Sequence, residues 1–157
     1  MRRTSAPDLL APFVALAVVV YGLLRIDYGG IPPLHYGIAL PLAVLAAGEL
    51  VAAGRVRGAV GHHPDAKPMQ AIAIARCVAL GKASALVGAG LAGAVVGLLI
   101  RVIPDASTVR AAANDGRVGL VLLGAAVLLT VAGLLLERAG IDPGSEKDGA
   151  PRRLGEV

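Results

Sequence analysis

Charged residues in this chain fence off four long stretches that carry no formal charge. Asp8 and Arg25 enclose 16 residues, Leu9 to Leu24, and Asp27 and Glu49 enclose 21, Tyr28 to Gly48. Lys82 and Arg101 enclose 18, Ala83 to Ile100, while Arg117 and Glu137 enclose 19, Val118 to Leu136. At about 1.5 Å per residue, helices of this length approach the roughly 30 Å hydrocarbon thickness of a bilayer. The runs are continuously apolar and lack the alternating polar positions of a barrel lumen, so helices are favoured over strands. The pattern predicts an all-α, integral membrane four-helix bundle, residues 1–139, with spans near 9–26, 34–53, 80–100 and 118–137. The first run is the shortest, and it fits if Arg25 snorkels or the bilayer thins locally. Arg25-Ile26-Asp27-Tyr28 offers no small-x-small cleavage site, so that run reads as an uncleaved anchor.

Composition removes the soluble alternatives. Of 157 residues, 56% are hydrophobic and only 17% charged, against roughly 25% charged in an ordinary soluble domain. A chain this small cannot hide so much apolar surface from water, so a soluble enzyme is excluded. One cysteine, Cys77, excludes an internal disulfide framework and a Cys-rich zinc site. The net charge of +4 accompanies no Trp and one Phe, which leaves little to stack on bases. The cations lie beside the apolar runs and suit anionic lipid headgroups instead. The expected partners are the lipid bilayer and either a membrane protein or a second copy in a homo-oligomer, with no nucleic acid and no cofactor.

Lys and Arg counts in short loops predict orientation. One side holds nine: Arg2, Arg3, Arg55, Arg57, Lys67, Arg138, Lys147, Arg152 and Arg153. The other holds four: Arg25, Arg101, Arg110 and Arg117. Both termini are therefore expected in the cytoplasm, in the cell (plasma) membrane. Tyr21, Tyr28 and Tyr36 then fall near the outer interface. Residues 140–157, with Pro143, Gly144, Ser145, Glu146 and Lys147, lack the apolar content to fold and read as a disordered cytoplasmic tail. Ala111 to Ala113 suggest a helical turn in the outer loop.

Few polar residues fall within or beside the spans. Glu49 lies near the end of the second, where an ionisable group is costly. Lys82, taken as the start of the third helix, is a plausible ion-pair partner at similar depth. The alternative for Glu49 is a proton- or substrate-coupled carboxylate. Arg76 and Lys82 are six residues apart and cannot share a helix face. Ser84 can hydrogen-bond across helices or back onto its own. Together, Arg76, Lys82 and the start of that helix could attract an anion. Gly81, Ala85, Ala89, Gly93 and Gly97 form a stripe of small residues, suited to close helix packing inside the bundle or against a partner. His62-His63-Pro64-Asp65 lacks the convergent ligands of a metal site, and His35 and Cys77 have no evident chemical role. No phosphate loop, nucleophile elbow or catalytic triad is present, so no catalytic, cofactor-binding or metal residue is expected.

The run Ala75-Arg76-Cys77-Val78-Ala79-Leu80-Gly81-Lys82-Ala83-Ser84-Ala85-Leu86-Val87-Gly88-Ala89 resembles the A-R-x-x-x-L-x-K-A-S-A/S-x-x-G-A segment of an actinobacterial membrane family, domain of unknown function 3180. Pro32-Pro33, Glu49 and Leu136-Glu137-Arg138 look similar too. Members of that family commonly carry Trp after the motif, where this chain has Leu91-Ala92-Gly93-Ala94. The resemblance implies four spans, no established activity and genes often beside folate-biosynthesis genes, and it singles out Arg76, Lys82 and Ser84. The expectation is a small membrane protein of unknown activity, not an enzyme, acting as an accessory or partner-binding protein. The alternative is a small oligomeric carrier or channel for an anionic metabolite, pterin- or folate-related.

Overall fold

A computed structural model describes residues 4–26, 34–61 and 69–140, and all of their regular structure is helical. Ser5 starts the first helix: its hydroxyl and its N–H both donate to Asp8 Oδ2, at 2.7 and 2.9 Å. Asp8 thus reaches back to the Ser5 N–H as the acidic member of a capping box does, while the Asp8 N–H donates to the Ser5 carbonyl. Helix α1 runs Ala6–Ile26 and continues through Pro12. A short 3-10 turn, Tyr36–Ile38, leads into α2, Ala39–Val60. Helix α3 is one uninterrupted rod, Ala71–Val102. The 3-10 turn Ile103–Asp105 then precedes α4, Arg110–Ala139. All four helices are long and apolar enough to cross a membrane.

The helices overrun the uncharged stretches that bound them in the sequence. Helix α3 has 32 residues, or about 48 Å. Lys82 thus lies about three turns inside it and does not begin it. Arg55 and Arg57 belong to the closing turns of α2, not to a loop, and Arg110 opens α4. The physical reason is that a charge marks the edge of the apolar layer, whereas a helix ends only where backbone hydrogen bonding stops. The small residues Ala111 to Ala113 lie in the first turn of α4 itself. Arg2, Arg3, Asp27, Tyr28, Pro32-Pro33, the His62–Asp65 segment, Lys67 and the tail from 141 onward lie outside the described residues.

The bundle is open. Helix α3 packs on both α1 and α4, and α2 packs chiefly on α4, so the order across the molecule is α1–α3–α4–α2. The α2 side of its seam repeats at Ala39, Leu42, Ala46, Glu49, Ala53 and Val56. These steps of three and four residues keep one stripe turned towards a neighbour. Ala46 packs with Leu129 and Ala132, and Ala53 and Val56 pack with Leu136 and Ala139. Leu24 of α1 meets Leu98, Val102 and Ala112 at the opposite end. These clusters put the start of α1, the end of α2, the start of α3 and the end of α4 on one side, an up-and-down arrangement.

Candidate functional site

Every apolar position of the α2 seam is small or branched, and Glu49 interrupts it. Its side chain is 2% exposed, and neither carboxyl oxygen has a hydrogen-bond partner. The Ser84 hydroxyl, on α3, approaches the carboxyl without forming a well-aligned hydrogen bond. Ser84 is itself buried. Lys82 is half-buried and two positions away, on a different face of α3 from Ser84. The expected Glu49–Lys82 ion pair is therefore not formed, because α3 presents Ser84 to α2 at that depth. Arg76 is exposed and lies about 12 Å nearer the start of α3 than Ser84. The structure thus brings together Glu49 and Ser84 and leaves Arg76 apart from them.

The small-residue stripe serves two neighbours. A Cβ added at Gly81 would come within 2.6 Å of the Gly133 carbonyl oxygen, and one at Gly133 within 2.5 Å of the Gly81 oxygen. At this crossing α3 and α4 touch backbone to backbone. Ala85 is fully buried beside it. Further along, Gly93 lies against the Phe13 carbonyl of α1, and Gly97 against that of Ala17. Ala89 is buried between these regions. All five positions are covered by the chain's own helices, as backbone approach in lipid requires.

Two further buried acids escape the sequence reading as site residues. Glu137, 3% exposed, accepts the Thr4 N–H through Oε1 at 2.8 Å. It ties the start of α1 to the end of α4. Asp115, 5% exposed, accepts the Leu34 N–H through Oδ1 at 3.1 Å, while Asn114 Nδ2 donates to the Leu34 carbonyl at 3.0 Å. That pair clamps the entry to α2 onto the start of α4. Asp115 gave one signal in the sequence, its heptad spacing ahead of the α4 seam. Arg101 and Asp105 form a surface pair at 2.6 Å. Among the described residues no three His, Cys, Asp or Glu side chains converge.

No curated protein and no solved structure matches the chain. A family model described as a protein of unknown function, DUF3180, matches residues 9–143, nearly the whole helical array. With the resemblance around Arg76, Lys82 and Ser84 now supported by a match spanning all four helices, the chain belongs to the DUF3180 family of proteins of unknown function.

Proposed function

We propose that this is a non-enzymatic accessory or partner-binding protein of the plasma membrane, with both termini cytoplasmic. The observation that carries the reading is the open row of helices. Only 6% of the α1 span is buried, against 56% of the α3 span. Along its length helix α1 packs only on α3, with α4 touched at its two ends, and the rest of its surface exposes Val14, Val18, Val19 and Leu23. Glu137 and Asp115 meanwhile fasten chain segments to one another, which is structural work. The test is the mass and composition of the protein extracted in mild detergent from its own membrane. A stoichiometric second protein supports the reading; a lone monomer counts against it.

A second reading, an oligomeric carrier or channel for an anionic metabolite, is favoured by Glu49. A buried carboxyl without a hydrogen-bond partner is the kind of group that couples a proton to transport. In this reading Lys82 and Arg76 line the approach of the anion. Pterins and folate-related compounds are the first anions to try in proteoliposomes. Flux that survives in wild type and disappears in Glu49→Gln and Lys82→Met, with assembly intact, supports it. Absence of flux for wild type counts against it.

A further inference from the structure

We propose that the cleft between the ends of α2 and α4 holds the phosphate headgroup of an anionic phospholipid, gripped by Arg57 and Arg138. The inference rests on reading the helices as membrane spans, and on neither a partner nor a carrier role. The cleft has a volume of about 310 Å³ and is lined by Leu50, Ala53, Gly54, Arg57, Leu135 and Arg138. On α2 the lining positions fall at i, i+3, i+4 and i+7, so they form one face. Both arginines sit in the last turn of their helices, and neither guanidinium has an ion-pair partner among the described residues.

Depth and charge both suit a lipid. Arg57 lies about 10 Å above Leu50 along α2, so the cationic mouth opens at the interface and the apolar floor lies in the hydrocarbon. That is the order of a phospholipid: phosphate above, glycerol and acyl chain below. The two guanidiniums lie where the closing turns of both helices present carbonyl ends, and they give the mouth of the cleft the cationic groups that an anionic headgroup needs. Guanidinium forks also fit phosphate oxygens in pairs. Basic pockets between helices on the cytoplasmic side are suited to such headgroups. Gly54 supplies the room: a Cβ there would meet nothing within 4 Å, so the cleft wall is open at that point because the side chain is missing.

The experiment is native mass spectrometry of the delipidated full chain in mild detergent, titrated with phosphatidylglycerol, phosphatidylcholine or inorganic phosphate. A separate measurement, retention of the wild-type chain in alkali-washed membranes, tests the span reading; loss from those membranes overturns that reading, and with it the inference. With the chain retained, one phosphatidylglycerol per chain should bind in preference to phosphatidylcholine. The Arg57→Gln/Arg138→Gln double variant should weaken it about thirtyfold, or about 2 kcal/mol at 1.4 kcal/mol per tenfold. Gly54→Leu, which occupies the cleft and keeps both charges, should weaken it at least about tenfold, or about 1.4 kcal/mol. Helix content by circular dichroism confirms that each variant is folded. Equal binding of phosphatidylcholine, full retention by either variant, or phosphate binding as tightly as the lipid would each overturn the proposal.

Discussion

Gly93 and Gly124 differ by what surrounds them, and their substitutions should differ in sign. A methyl at Gly93 would strike the Phe13 carbonyl, which is backbone and cannot swing aside, whereas one at Gly124 meets nothing within 4 Å. Gly93→Ala should therefore cost about 1–3 kcal/mol of stability, and Gly124→Ala should gain about 0.5–1 kcal/mol from backbone entropy. Reversible unfolding in mixed detergent micelles, followed by circular dichroism, measures both. Equal effects would mean that α1 does not dock on α3 at Gly93. Glu49 supplies a second residue-scale test. Since the Ser84 hydroxyl is the one polar group near the carboxyl and no well-aligned hydrogen bond reaches either oxygen, Glu49→Leu gives up one weak polar contact and removes an acid from an apolar seam. It should stabilise the fold by about 1–3 kcal/mol in the same assay; destabilisation would show that the carboxyl is held after all. That Glu49 is out of place was legible in the sequence, because a charge beside an apolar run always needs explaining. Its neighbour was not, since side-chain direction depends on how α3 is rotated, and Ser84 and Lys82 are only two positions apart.

At the scale of elements, α4 is fastened at both ends by backbone groups that have left their own helices. Asn114 and Asp115 together hold both polar groups of Leu34, and Glu137 holds the Thr4 N–H. Asp115→Ala should cost about 1–3 kcal/mol, because it leaves a part-buried N–H without its acceptor, and Asn114→Ala about 0.5–1.5 kcal/mol. The double variant should cost less than the sum, since the two grip one residue, and amide exchange over 34–38 should quicken in all three. Strict additivity would show that the clamp is not a unit. The existence of four helices was readable from the uncharged runs, but their ends were not. Lys82 bounds the third uncharged run and Arg55 is the first cation after the second, yet the backbone continues helical for about 16 Å before the one and for about a turn and a half beyond the other. The α2 seam, with Ala39, Leu42, Ala46, Glu49, Ala53 and Val56 at steps of three and four, was present in the sequence. It is hard to see there because the residues around it are equally apolar, so hydrophobicity alone does not pick out a face in lipid.

For the whole molecule, the decisive geometric fact is that the ends of the helices sort into two groups. Thr4 meets Glu137, and Val56 packs near Leu136, Ile74 and Cys77, whereas Leu24 meets Leu98 and Ala112, and Leu34 meets Asp115. An alternating path therefore follows from packing alone, but packing is blind to which group faces the cytoplasm. Only the charge bias, nine Lys and Arg against four in the flanking segments, breaks that symmetry, because cationic segments resist translocation. Cysteine labelling separates the two contributions. In a Cys77→Ala background, Thr108→Cys and Gly61→Cys place thiols at exposed positions on opposite ends. An impermeant maleimide added to intact cells should label Thr108→Cys, and should reach Gly61→Cys only after the membrane is opened. The reverse pattern would leave the helix packing intact and overturn the orientation. Labelling of both from outside would instead break the up-and-down path itself, and the Arg57–Arg138 cleft would then no longer lie at one interface.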